Sequence, residues 1–388
     1  MALAIRQNPR LTAAAREIVA SQAGLRSARA LSNPNFLFIP SLVGQGSDEE
    51  VLFAQPLELN GTRRARAGVA RAGLRQARAG AVVELRNLVS QTKGAYFDLA
   101  RARELRSLNE ELLRTAEEFA RITRRQAELG TRPEIDQTQT AIEVTRAAQQ
   151  LTVAQRDERA ATAALNSLMG RAPAEPIADL APLAEGGGAA EPPPVDPEAI
   201  TQQALAARAE IAAQRAAADV FRQEARLERA EGRPDLAPQL RAGAVTRGVK
   251  ETGIGLGVNL PLIDYGARRN RIRQLQEGAR AQDARVAAAT NDVRREVDQG
   301  LTRLRAADAV VQQYQQGVLA QARRLLEAAR VGFQQGAYNV VQLLEAQRTY
   351  RAVLTEYANA LAAQSEARAE LERATGAVPA DLLPGGRE

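Results

Sequence analysis

From Thr62 to Leu129 the chain holds no proline, and its apolar residues recur at helical spacing. Leu105, Leu108, Leu112, Thr115, Phe119, Ile122, Gln126 and Leu129 follow a three-four rhythm, the seam of a coiled coil. At 1.5 Å per residue such a helix extends about 100 Å, several times the globular norm. Gly130-Thr131-Arg132-Pro133 ends it, and a second helix over 134–169 returns antiparallel until Gly170. Upstream, an Ala/Arg/Leu-rich helix runs to about Ala30 and is stopped by Asn33-Pro34. Two apolar runs, Phe36–Val43 and Val51–Leu59, flank a Gly/Ser/Asp turn and predict a β-hairpin over 36–59.

The same order then returns. A helix from about Pro197 is stopped by Gly232-Arg233-Pro234, and a hairpin is expected over 236–262. In it Ile254–Leu260 alternates small or polar residues with apolar ones, as a two-faced strand does. A proline-free helix over 267–335 carries Val297, Leu301, Leu304, Val311, Val318, Leu325 and Ala329 on a heptad-like seam. Gly336 turns it, and the last helix is expected over 339–374. Gly130 and Gly336 are 206 residues apart, and so are Gly170 and Gly376. The predicted organisation is a first repeat over 1–170, a Pro/Gly-rich linker over 171–198, a second repeat over 199–376 and a tail over 377–388. The fold class is mainly α with a small β part.

The phrase Gln55-Pro56-Leu57-Glu58-Leu59-Asn60-Gly61-Thr62-Arg63 is echoed by Leu260-Pro261-Leu262-Ile263-Asp264-Tyr265-Gly266-Ala267-Arg268. Each copy stands where a strand becomes a long helix. Pro56 and Pro261 are expected to end ladder pairing, and Gly61 and Gly266 to allow the sharp backbone change. Four strands alone leave unpaired edges, and a helix hairpin with one apolar seam lacks a partner. Several copies in a ring remove both deficits.

The chain has no Cys and no His, and its only lysines are Lys93 and Lys250. Thiolate and imidazole metal sites, haem ligation and His-dependent triads are excluded, so neither an enzyme nor a cofactor is expected. The net charge of +6 comes almost wholly from Arg interspersed with Glu, the pattern of a solvated helix face rather than a nucleic-acid site. No run of 18 apolar residues predicts a transmembrane helix, and Met1–Leu11 lacks a basic-then-apolar leader. A β-barrel carries a much weaker signal and stays open on this ground.

This order of elements, with Pro-Leu-x-x-x-Gly-x-Arg at each joint and Phe333–Gln347 after the second long helix, resembles the TolC family of outer membrane efflux channels. The wording Gln-Pro-Leu-Glu-Leu-x-Gly-x-Arg is similar to the branch that works with heavy-metal exporters. The resemblance implies a homotrimer in which long α-hairpins and β-hairpins assemble into an α-barrel and a twelve-stranded β-barrel. It implies an outer membrane location with most of the mass in the periplasm, and docking onto a periplasmic adaptor and an inner-membrane pump. The protein would be a passive duct for drugs or metal ions. Carried over by position, the turns at Gly130 and Gly336 are the periplasmic tips. Arg132, Glu134 and Asp136 after the first tip, and Tyr338, Gln342 and Glu345 after the second, are aperture candidates. For Glu134 and Asp136, helix capping and dipole complementation is the competing role. A soluble coiled-coil scaffold without a pore is the alternative, and outward alternation of the four strands separates the two.

Overall fold

A computed structural model describes residues 1–39, 50–131, 133–178, 180, 196–245, 249–261 and 264–376. Arg132 therefore lies outside the described residues, as do 262–263 of the second joint phrase and the tail over 377–388. In chain order the elements are α1 (Ala2–Gln7), α2 (Pro9–Arg29), β1 (Asn35–Ile39), β2 (Glu50–Ala54), α3 (Thr62–Glu128) and α4 (Glu134–Met169). They are followed by α5 (Pro197–Ala207), α6 (Ala209–Glu231), β3 (Asp235–Val245), β4 (Val249–Asn259) and α7 (Ala267–Gln313). A π-turn (Tyr314–Val318), α8 (Leu319–Gln334) and α9 (Val340–Thr375) complete the described chain.

Contacts gather these elements into two compact units that cut across the repeats. One comprises the described residues of Met1–Leu11, Leu85–Ala207 and Asp292–Glu388; the other comprises Thr12–Glu84 and Arg208–Asn291.

The second unit holds the sheet. Its four strands are antiparallel in the order β1-β2-β3-β4, so the two expected hairpins are joined through β2 and β3. Registers such as Phe36↔Phe53, Phe53↔Leu240 and Leu240↔Ile254 put one set of side chains on a common face. That face carries Phe36, Phe38, Val51, Phe53, Leu240, Ile254, Leu256 and Val258, and most of it is exposed, with Ile254 at 91%. The opposite face carries Glu50, Gln239 and Arg241 beside glycines 243, 253, 255 and 257, together with Leu37 and Leu52 of the first hairpin. Arg241 Nε lies 2.6 Å from Glu50 Oε1. Helices α6 and α7 are linked by Arg222–Asp283 at 2.7 Å, and α3 and α6 by Arg75–Asp219 at 2.7 Å.

Small cores among the described residues hold the other unit together. Phe119 of α3 packs with Phe333, Val340, Leu343 and Leu344 beside the second turn. Further along, Phe97 and Ala100 meet Val311, Leu361 and Ala362. Leu99, Leu165 and Met169 enclose Ala4, with Ile177 and Leu180 packed against them, so the start of the expected linker belongs to a core.

Three expected helices are interrupted. The first breaks at Asn8 (φ −69°, ψ 123°) and the helix after the linker at Arg208 (φ −69°, ψ 117°). Both breaks sit against the end of a return helix. The Gln7 carbonyl abuts Gly170, and Ala207 abuts Gly376, where even a methyl group would crowd its neighbour. The helix over 267–335 is split by the π-turn, which inserts one residue into the ladder. After it the apolar seam moves on by one position. Val318 and Leu325 are exposed, while Leu319 and Leu326 are half-buried and Ala322, Ala329 and Phe333 are buried.

Candidate functional site

The expected sites fall at the strand-to-helix joints and at the two turns. In the first joint, pairing does not stop at Pro56. Gln55 N–H donates to Pro238 O (3.1 Å), and Leu57 N–H to Leu236 O (3.0 Å). An antiparallel ladder uses alternate residues of a strand, so Pro56 occupies the position whose missing N–H would face away from β3. The chain then turns through two left-handed residues, Glu58 (φ 50°) and Gly61 (φ 88°). Asn60 Oδ1 accepts from Thr62 N–H (3.0 Å), so an Asx cap starts α3.

Glu58 is the centre of this joint. Arg66 donates to both its oxygens (2.7 and 3.1 Å), and Ser32 Oγ donates to Oε1 (2.8 Å). Arg66 also donates to Ala28 O and Ala30 O, closing the end of α2. Burial alone would raise the Glu58 pKa; hydrogen bonds from Arg66 and Ser32 and the charges of Arg66 and Arg63 outweigh it and hold it below its ordinary value. A carboxyl with a depressed folded pKa stabilises above its unfolded value of about 4.3, and that stabilisation is lost as pH falls through the folded value. Acid should therefore lower the melting temperature of the native protein more steeply than that of Glu58→Gln, whose joint does not titrate; parallel melting curves against pH would refute this.

The second joint is simpler. Asp264 Oδ1 accepts from Gly266 N–H (3.0 Å) and Oδ2 from Arg268 N–H (3.3 Å), which depress its pKa despite the opposing desolvation. Gly266 has φ 82°, and Tyr265 before it, at φ 50°, is 96% exposed. The Arg268 side chain lies over Gly232, where a Cβ would strike it. Pro261 follows the end of β4 and is half-buried.

The turns share one geometry. Thr131 N–H donates to Gln126 O (3.0 Å) and Gly130 N–H to Ala127 O (2.9 Å); Ala337 N–H donates to Gly332 O (2.9 Å) and Gly336 N–H to Phe333 O (3.2 Å). These are paired Schellman bonds, and they require the left-handed φ of Gly130 (68°) and Gly336 (77°). After the first turn Glu134 is exposed and Asp136 half-buried, both in the first turn of α4. After the second, the Tyr338 ring lies on Gly332, a place only a residue without Cβ leaves open. Gln342 does not stand free: it forms a capping box with Asn339, with bonds of 2.9 and 3.0 Å. The Asn-x-x-Gln spacing is a sequence-level sign of that role. Glu345 is exposed, 3.8 Å from Arg348. Leu129, Ile135, Tyr338 and Val341 add exposed apolar surface.

Behind the turns stands a cluster the sequence did not single out. Glu143 of α4 is 8% exposed; Arg348 and Arg351 of α9 approach it to 3.2 and 3.9 Å, and Arg146 to 3.8 Å. Arg351 also donates to Gln150 (2.6 Å). Nearby, Thr123 and Thr140 share a buried hydroxyl bond of 2.8 Å. Among the described residues no His/Cys/Asp/Glu cluster fits a metal ion, and no helix is long and apolar enough to cross a membrane.

Residues 200–377 match the family described as outer membrane efflux protein. The chain is 26% identical over 378 residues to the cobalt-zinc-cadmium resistance protein CzcC of Cupriavidus metallidurans, covering 97% of this chain and 88% of that protein. In fold it is similar to the Campylobacter jejuni CmeC outer membrane channel, with a TM-score of 0.80 at 15% identity over 96% of this chain and 84% of that one. The open-state Neisseria gonorrhoeae MtrE outer membrane channel gives a TM-score of 0.78 at 19% identity, over 96% and 87%.

Proposed function

We propose, from the match of residues 200–377 to the outer membrane efflux protein family, that this chain is the outer membrane channel of a tripartite efflux system. It works as a homotrimer, a passive duct loaded by a periplasmic adaptor and an inner-membrane pump. The observation that carries the reading is the sheet. One face is apolar and exposed along all four strands, the other sets polar residues and glycines beside Leu37 and Leu52, and β1 and β4 are its edges. A lipid-facing wall with a wet lumen behind it has that alternation. Pairing β4 of one copy with β1 of the next closes three sheets of four strands into one barrel, with no edge left exposed. The 11-residue strands β3 and β4 meet the 9–11 residues that a tilted membrane strand needs. A scaffold without a pore would leave this face in water, where a contiguous apolar patch is an aggregation hazard.

In the assembled duct the joints sit at the barrel's lower rim, and the turns at Gly130 and Gly336 form the periplasmic end. Most of the chain then lies in the periplasm. Three copies of Glu134, Asp136 and Glu345 at a narrow end favour cations and repel anions. With Gln342 held in its capping box, Glu345 is the carboxylate of the second turn for this role. The likeness to CzcC supports metal cations among the exported solutes. Glu345→Ala should lower single-channel cation conductance more than Glu104→Ala, an exposed mid-helix control. Equal effects of the two substitutions would remove Glu345 from the aperture.

A further inference from the structure

Below the apolar face the two joints form a single rim. Asn60 Nδ2 donates to Arg233 O (3.4 Å), Leu59 N–H to Asp235 Oδ1 (3.0 Å), and Arg268 covers Gly232. The apolar series continues into this rim. Leu260 follows Ile254, Leu256 and Val258 at steps of two, and it is exposed, as are Leu57 and Leu59. Tyr265 projects almost wholly into solvent from a left-handed residue, a conformation that costs a non-glycine on the order of 1 kcal/mol.

The charges of the rim are unevenly matched. Glu58 is taken by Arg66, Asp235 by Leu59 N–H, and Asp264 by Gly266 and Arg268 N–H. Glu231, the last residue of α6, is the remaining carboxylate. Arg64, Arg233 and Arg269 are exposed and have no side-chain hydrogen bond or ion pair among the described residues. An apolar wall, then a tyrosine, then unpaired arginines is the order in which a bilayer presents acyl chains, interface and phosphates.

We propose that this rim is a lipid-headgroup collar. Arg64, Arg233 and Arg269 take the phosphates of anionic phospholipids, while Leu59, Leu260 and Tyr265 lie at the acyl boundary. The proposal rests on the outer membrane reading above. Each arginine near an anionic surface is worth roughly fivefold in affinity, so removing two should weaken binding about 30-fold.

The test is native mass spectrometry of the full-chain trimer in detergent, titrated with phosphatidylglycerol or phosphatidylcholine. The wild type should retain phosphatidylglycerol preferentially. Arg64→Gln with Arg269→Gln should bind it about 30-fold more weakly, and Arg324→Gln, an exposed control on α8, should bind it normally. Equal retention of both lipids, an unchanged double variant or an equal loss in the control would overturn the collar. Displacement of the lipid by inorganic phosphate alone would overturn the lipid assignment in favour of a simple anion site. Failure of the wild type to form a trimer at all would instead count against the efflux-channel reading.

Discussion

Ile254→Arg is expected to abolish most membrane assembly, whereas Gly253→Arg, one residue away, should leave it near normal. Ile254 belongs to the apolar face and is the most exposed of its residues. An arginine on the lipid face near the midplane costs about 2–4 kcal/mol, and a trimer would carry three of them. Gly253 points to the polar face, and a Cβ there meets nothing within 4 Å. In the proposed barrel a side chain at 253 would therefore enter the lumen rather than lipid. Counting heat-resistant trimers extracted from outer membranes checks the pair. Equal loss in both variants would mean that the two faces do not differ in solvent, and the barrel reading would fail with them.

The second large effect is expected at Glu143. Its carboxylate is nearly inaccessible, while Arg348 and Arg351 keep part of their surface in water. An exposed ion pair contributes at most about 1 kcal/mol, and breaking a fully buried one costs about 3–5 kcal/mol. Glu143→Ala lies between these limits and should destabilise by about 2–3 kcal/mol. Arg348→Ala should cost less, because Arg351 remains. In denaturant unfolding a Glu143/Arg351 double-mutant cycle should give a coupling above 0.5 kcal/mol. Additive single effects would show that the cluster is merely adjacent and not coupled. The pairing matters because it ties α4 of the first repeat to α9 of the second, close behind the turns.

Much of this arrangement could be read from the chain because its punctuation is strong. Gly130 and Gly336 mark turns that require left-handed residues, and proline-free stretches mark the long helices. The strand alternation at Ile254–Leu260 foretold an apolar face, and the registers show it extending across four strands. Other features left weaker traces. The break at Asn8 was announced by Pro9, which disfavours a helical residue before it. The break at Arg208 has no such sign in its Ala-rich surroundings; it follows directly on Ala207, which packs on Gly376 just past the end of α9. The π-turn is likewise silent in sequence, and one inserted residue was enough to displace Val318 and Leu325 from the seam. Pro56 was misread for a geometric reason: a proline interrupts pairing only where its N–H was needed. Glu143 looked like any other helix-face carboxylate until two arginines from a segment some 200 residues away met it.

In the proposed channel this sheet is one third of a membrane barrel. Mass in mild detergent, measured by light scattering with the detergent contribution subtracted, tests it most directly. The expected result is a trimer of the 41.7 kDa chain that inserts into planar bilayers and conducts. A monomer that stays soluble without detergent and carries no current would contradict it.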